Sequence, residues 1–477
     1  MRLLFLFLIL LGSVHHSIAD HFTDKKTKTD ANLTGHVINK NTGEHIPFFT
    51  VSLKGTTLGT ATDETGHYFL KNLPVGSYTI RVNGVGYRSA EKQIVLRQGE
   101  TRELNFEVEE DIIQLETVVI SANKNETNRM EAPVVVHVMT PKLFENTNSV
   151  CLAQGLSFQP GLRVETNCQN CGFQQVRING LDGPYTQLLL DGKALFSSLN
   201  GVYGIEQIPA GMIERVEVMR GGGSALYGAN AIGGTVNIIT KEPLNNLFMI
   251  SHNLIAIGNS AYDNTTSLNA SLINGQRNAG LYIFGTSRHR QHYDHDGDHF
   301  SEIGELKLTT LGFRSYYKPS SQTKLTLEYH NIQEFRRGGN LFSLPPHETD
   351  ITEQADHDIN GGGVDFSFFS KDYTHKFSLY SSVQHTDRQS YYGAGKDPNA
   401  YGKTKDLTAI AGIQYSYNFN HLLFMPAILT AGSEYSYNKL VDKMLGYHRT
   451  IDQKVDVYSF FLQNEWKTEQ FSFLLGG

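Results

Sequence analysis

The densest group of reactive side chains is one stretch, Arg288-His-Arg-Gln-His-Tyr-Asp-His-Asp-Gly-Asp-His-Phe-Ser-Glu302. Asp294, Asp296 and Asp298 alternate, Glu302 stands four residues further on, and Glu305 is twelfth counted from Asp294, a carboxylate spacing suited to calcium. The sixth place of such a loop wants Gly but holds His299, and Gly297 comes two places early, so a solvated acidic loop is the competing reading. His289, His292, His295 and His299 share the stretch, and imidazole is the side chain that ligates haem iron or other transition metals. Two more segments could grip an anionic chelate by charge and stacking. One is Phe335-Arg-Arg-Gly338, with Arg336 and Arg337, next to Leu344-Pro-Pro-His347; the other is Tyr391 and Tyr392 with Arg388. Both are expected in outward loops.

The cysteines are Cys151, Cys168 and Cys171, the last two in Asn167-Cys-Gln-Asn-Cys-Gly-Phe173. In an oxidising compartment a local Cys168–Cys171 disulfide is the favoured reading, with metal or redox work as the alternative. Two thiolates alone fall short of the usual four zinc ligands, and a redox pair belongs at a helix N-terminus, whereas a strand is expected from Phe173. No G-x-S-x-G elbow, H-E-x-x-H helix or paired CxxC set occurs, so an enzyme is not expected. Arg220-Gly-Gly-Gly-Ser224 lacks the lysine of a phosphate loop, and its glycines suit tight turns and close backbone approach.

Compartment and architecture follow from the rest of the chain. Met1-Arg2, an apolar run from Leu3 to Leu11 and Ser17-Ile18-Ala19 make residues 1–19 a signal peptide. No later stretch approaches the ~18 apolar residues of a membrane helix. Export without a membrane helix leaves the periplasm, secretion or an outer-membrane β-barrel. The 477 residues carry 41 basic and 48 acidic side chains, a net charge of −7 that argues against nucleic acid, and 45 Gly with 23 Tyr suit a β protein. From about Asn246 the pattern has period two: Leu325, Leu327 and Tyr329 alternate with Lys324, Thr326, Glu328 and His330, and Ile413, Tyr415, Tyr417 and Phe419 with Gly412, Gln414, Ser416 and Asn418. One apolar and one polar face is what a barrel wall between lipid and a wet or plugged lumen requires.

Residues 31–108 alternate short apolar segments with turn signals at Asn41-Thr-Gly43, Asp63-Glu-Thr-Gly66, Pro74-Val-Gly76 and Arg97-Gln-Gly99, the texture of a small sandwich. The wording Gly35-His-Val-Ile-Asn-Lys-Asn-Thr-Gly43, Thr60-Ala-Thr-Asp63 and Leu73-Pro-Val-Gly-Ser-Tyr78 resembles the carboxypeptidase regulatory-like domain. The resemblance implies a binding or spacer module, and no metal-ligand set is evident in the segment. Residues 131–242 hold Gln159-Pro-Gly-Leu-Arg-Val164, Gln187-Leu-Leu-Leu-Asp-Gly192, Ile213-Glu-Arg-Val-Glu-Val-Met-Arg-Gly221 and Ser224-Ala-Leu-Tyr-Gly-Ala-Asn-Ala-Ile-Gly-Gly-Thr-Val-Asn-Ile-Ile-Thr240. Their order and wording resemble the plug domain of TonB-dependent outer-membrane receptors.

That resemblance implies a mainly β fold: an N-terminal β-sandwich, an α/β plug and a partial transmembrane antiparallel β-barrel. It makes residues 115–130 the TonB box and linker, with the box at Thr117, Val118, Val119, Ile120, Ser121 and Ala122, a strand on a polar tether suited to adding to a partner's sheet edge. Residues 243–477 would supply ten or eleven strands. Plugged barrels have about 22, so the N-terminal half of a barrel in a truncated chain is expected. The implied location is the cell outer membrane, as a multi-pass barrel with the N-terminal domain in the periplasm. The implied partners are TonB with ExbB and ExbD, outer-membrane lipid, and a small-molecule iron chelate, haem or cobalamin. A surface lipoprotein is admitted as a further partner. No cofactor is required, and calcium in the outer loop is the one candidate.

Met219-Arg-Gly-Gly-Gly-Ser-Ala-Leu-Tyr-Gly228 is closer to siderophore, haem and cobalamin receptors than to glycan importers. Asn167 to Gly180 with Gly201-Val-Tyr-Gly-Ile-Glu-Gln-Ile-Pro209 is similar to haem receptors of Bacteroidetes, while Phe335-Arg-Arg-Gly338 departs from the Phe-Arg-Ala-Pro box of many of them. An iron chelate, ferric siderophore or haem, is therefore the first expected cargo. A cobalamin receptor, or a non-transporting surface binding or signal-relay protein, is the alternative.

Overall fold

The computed structural model describes residues 31–477 except 41, 85–86, 110–117, 123, 126, 130–131, 169–171, 195–199, 222–223, 259, 373 and 469–470. The signal peptide, Thr117 and Cys171 therefore lie outside the described residues, and the side chain of Cys168 does too.

Residues 31–108 fold as two four-stranded sheets. One holds Ala31–Asn39 flanked by His67–Leu73 and Thr101–Glu103, with Phe106–Val108 also on Ala31–Asn39; the other runs Gly59–Ala61, Thr50–Leu53, Gly76–Asn83, Ala90–Leu96. Every second residue of Ala31–Asn39 is buried, so Leu33 and Val37 meet Val51, Ile80 and Phe106 in one core. Thr101–Glu103 and Phe106–Val108 are two short strands with a break between them. The Asn105 side chain takes the place of a ladder carbonyl, accepting the His36 N–H at 3.0 Å.

The plug sheet runs Val136–Met139, Ile213–Arg220, Gly234–Thr240, Thr186–Leu190, and the hairpin Leu162–Cys168 with Phe173–Ile178 packs beside it. Gly234–Thr240 is central and buried at every residue, as a strand covered on both faces must be. Gly234 has φ +141°, and an added Cβ would lie 2.2 Å from the Met219 carbonyl oxygen, so only glycine lets these strands approach. Tyr282 and Phe284 of the wall join the plug's own core residues Leu152, Val216 and Ile238.

From Leu247–Ile257 to Ser472–Gly476, eleven antiparallel strands pair in sequence order into one sheet. Its terminal strands do not pair with each other. Strand lengths reach 22 residues at Tyr401–Leu422. Alternation holds as expected. Leu325, Leu327, Tyr329, Ile413 and Tyr415 are exposed on the convex face, while Thr326, Thr408, Ser416 and Thr430 are buried on the plug side. The strands also run further than the sequence suggested. Phe335 to Gly338 ends the strand Thr323–Gly339, and Tyr391 and Tyr392 lie inside His375–Ala394, which corrects the expectation that both groups sit in loops. Their alternation continues through polar residues, which masked the strand ends.

Candidate functional site

Three constellations are built on this frame. The first holds the segment expected to be the TonB box. Val118–Val119 pairs antiparallel with Thr127–Asn128, and the chain then turns onto the plug strand Ile213–Arg220. There a fully buried carboxylate, Glu217, receives it: Oε2 accepts the N–H groups of Ile120 and Ser121, each at 2.9 Å, and the Ser121 hydroxyl at 2.7 Å. Oε1 is paired with Arg215 Nε at 2.8 Å. Asn237 Nδ2 donates to Ser121 Oγ at 3.0 Å and the Tyr227 hydroxyl to the Ser121 carbonyl at 3.3 Å. Beyond the turn, Lys124 Nζ lies 4.4 Å from the Phe461 ring centroid, Asn125 Nδ2 donates to Thr430 Oγ1 at 2.9 Å, and Gln414 Nε2 donates to the Lys124 carbonyl at 3.2 Å. The expected free strand on a tether is thus docked on plug and wall, with Val119, Ser121 and Ala122 buried. The sequence offered no sign of this, because Glu217 reads as one more residue of a plug motif.

The second constellation joins plug to wall. Glu206, near the end of the helix Asn200–Gln207, meets Arg290 Nη1 at 2.8 Å, Arg288 Nη1 at 3.2 Å and Arg336 Nη2 at 3.4 Å. Arg288 is also paired with Asp263 at 2.7 Å and Arg336 with Glu334 at 2.9 Å, so three arginines face three carboxylates in a nearly water-free interface. Burial alone would raise the Glu206 pKa, but Arg290, Arg288 and Arg336 outweigh it and hold it down to about 2. On the other side of the plug, Arg314 reaches Asp191 at 2.5 Å and Glu328 at 2.9 Å, and Lys193 reaches Asp365 at 2.6 Å. Burial works against the ionised Asp191 too, and Arg314 with the Thr240 hydrogen bonds lowers its pKa nonetheless. Arg288, Arg290, Arg314 and Glu334 had one available signal: charge at the lumen-facing places of alternating strands.

The third constellation is the acidic loop. Ligand oxygens of Asp294, Asp296, Asp298 and Glu302 all lie within 4.8 Å of one another, the set expected for calcium. Backbone bonds fix the turn: Asp294 accepts from Gly297 N at 2.7 Å and His299 N at 2.9 Å, and Glu302 accepts from His295 N at 2.5 Å. The bond from Gly297 is the chief reason the Asp294 pKa is lowered. His299 takes φ +75° at the place where glycine is usual. Glu305 is not part of the group; it starts the next strand and pairs with Lys307 at 2.8 Å.

The other candidate contacts separate. His292 stacks on Phe342 at 3.7 Å between centroids, and the Arg337 guanidinium lies 5.4 Å from the same ring, so these two come together. His295 and His299 are exposed in the acidic loop. Arg336 is buried in the plug interface and also donates to the Gly172 carbonyl at 3.0 Å. Tyr391 is buried, its hydroxyl donating to the Asp397 carbonyl at 2.9 Å, and Tyr392 lies 5.9 Å from the Arg388 guanidinium. Cys151 is a buried free thiol.

Known proteins match this arrangement. Residues 33–120 match the CarboxypepD_reg-like domain and residues 128–235 the TonB-dependent Receptor Plug Domain. Together with the relatives below, these matches support a TonB-dependent receptor. The vitamin B12 transporter BtuB of Vibrio vulnificus is 35% identical over 127 residues, 27% of this chain and 21% of that protein; BtuB of Vibrio cholerae is 31% identical over 126 residues, 26% and 21% of the two. Among solved structures, the siderophore receptor PirA of Acinetobacter baumannii superposes with a TM-score of 0.60 at 18% identity, over 72% of this chain and 55% of PirA. The ferripyoverdine receptor of the outer membrane of Pseudomonas aeruginosa gives 0.60 at 14%, over 78% and 56%. The chain thus spans about half the length of the solved receptors and about a fifth of the curated relatives. These structural likenesses establish the receptor's fold: a plug held against a wall of long antiparallel strands.

Proposed function

We propose that this receptor is part of a TonB-energised transporter of the outer membrane that takes up a metal chelate, with a ferric siderophore or haem as the first candidate cargo. The carrying observation is the docking of residues 118–122 on buried Glu217. A backbone segment whose N–H groups are held by one carboxylate is a detachable strand. Once released, its exposed edge can pair with a strand of TonB, itself energised through ExbB and ExbD, and a pull on it acts directly on the plug. The exposed apolar convex face is the surface that lipid would cover, with the sandwich of residues 31–108 on the periplasmic side.

A specific observation favours a second cargo. The four converging carboxylates suit calcium, and 127 residues of the chain are 35% identical to a vitamin B12 transporter, which together support cobalamin. His292 and Arg337 against Phe342 support an anionic or iron-bearing ligand instead. Uptake of radiolabelled haem, ferric siderophore and cobalamin by cells with the full-length gene, without it, and with residues 117–122 deleted tests both levels. Gene-dependent uptake of one ligand names the cargo. Uptake that survives the deletion overturns TonB-driven transport, and gene-dependent binding without uptake favours a surface binding or signal-relay protein.

A further inference from the structure

The N-terminal sandwich carries a histidine cluster that the transport reading does not use. His36 on Ala31–Asn39 is the register partner of His67 on His67–Leu73, and His45 arrives from the turn that pairs back onto Ile38. Their ring centroids are 4.9 Å apart for His36–His45, 4.8 Å for His45–His67 and 5.8 Å for His36–His67. Three imidazoles bound to one tetrahedral ion through nitrogens at about 2.1 Å hold their centroids about 5 Å apart; His36–His45 and His45–His67 match that spacing, His36–His67 is wider, and the ring nitrogens do not converge until the rings turn.

The hydrogen bonds around the rings set the right tautomers. His45 Nδ1 lies 3.0 Å from the Thr65 carbonyl oxygen, which can only accept, so Nδ1 carries the proton and Nε2 keeps its lone pair. The Thr65 hydroxyl donates to Asp63 Oδ1 at 2.7 Å, which leaves it to accept from His67 Nδ1 at 3.0 Å, and the His67 lone pair is again on Nε2. A carbonyl or hydroxyl on the second ring nitrogen is the support that metal-bound histidines ordinarily have. The rings are tilted by 32° to 76° to one another, and closure on an ion requires ring rotation, which the exposure of His45 and His67 permits.

We infer that His36, His45 and His67 form a binding site for a borderline first-row transition-metal ion, Zn2+, Ni2+ or Cu2+, on the N-terminal domain, with a fourth position open to water or a carboxylate. Neutral imidazoles without thiolates or converging carboxylates select such ions over Ca2+ and Mg2+. The test is titration of the full chain, refolded in detergent, with Zn2+ by calorimetry and with Cu2+ by electron paramagnetic resonance. His36→Ala, His45→Ala and His67→Ala should each weaken one equivalent of Zn2+ at least tenfold and reduce the number of nitrogens in its hyperfine pattern with Cu2+. Asp294→Asn/Asp296→Asn should leave that equivalent unchanged. Thr65→Val, which keeps the rings but loses the support of His67, should weaken it less than any histidine variant. If the triple histidine variant, folded by circular dichroism, binds as many equivalents as tightly as the unmodified chain, the inference is overturned.

Discussion

Replacing Glu217 by alanine should release the segment that precedes the plug. The fully buried carboxylate accepts three hydrogen bonds from Ile120 and Ser121. Hydrogen bonds to a charged acceptor contribute about 1.5–3 kcal/mol each. The freed N–H groups can find water once the segment leaves, so the net effect is smaller than the full total. A loss of about 3 kcal/mol, roughly a hundredfold in the docked-to-undocked ratio, is the expected scale. Trypsin reads this without a label, since Lys124 is packed against the Phe461 and Tyr227 rings and becomes cleavable only on undocking. Cleavage after Lys124 should accelerate by one to two orders of magnitude in Glu217→Ala. It should accelerate less in Glu217→Gln, whose amide oxygen still accepts but without charge. If Lys124 is cut at the same rate in Glu217→Ala and the unmodified chain while the plug stays folded by circular dichroism, Glu217 is not what holds the segment.

Glu206→Ala leaves Arg288, Arg290 and Arg336 short of one buried counter-charge and should destabilise plug against wall by about 3–5 kcal/mol, read as earlier loss of plug structure in urea. The same contact sets a pH dependence: because the Glu206 pKa is lowered from 4.5 to about 2, its stabilisation is complete above about pH 4.5 and fades as pH falls towards 2. Thermal unfolding across that window should show an acid-side loss that Glu206→Gln lacks. Millimolar calcium should raise the unfolding temperature and slow proteolysis of the 294–302 loop, and Asp296→Asn/Asp298→Asn should abolish both effects. Gly234→Ala places a methyl 2.2 Å from the Met219 carbonyl oxygen at φ +141° and should prevent the plug from folding, seen as loss of protease resistance across residues 131–242.

What the sequence disclosed and what it withheld divide along a physical line. Sandwich, plug and wall were legible because each is written in local periodicity or in a contiguous motif, and Asp294, Asp296, Asp298 and Glu302 were legible because their turn is local too. Strand ends were misplaced where lumen and exterior are both polar, as at Arg336 and Tyr391, since alternation then carries no contrast. The decisive contacts were invisible for another reason. Glu217 meets Ser121 across 96 positions and Glu206 meets Arg336 across 130. In both cases the pairing is created by docking one unit on another, and each carboxylate alone looks like an ordinary surface charge. The same holds for His36, His45 and His67, which sit on two strands and a turn and converge only when the sheet register is known. A charge at a lumen-facing place of an otherwise neutral alternating strand is the exception that can be read in advance. Such a charge is costly to bury unless an opposite charge meets it, so Arg288 and Arg314 each mark where a plug carboxylate must be.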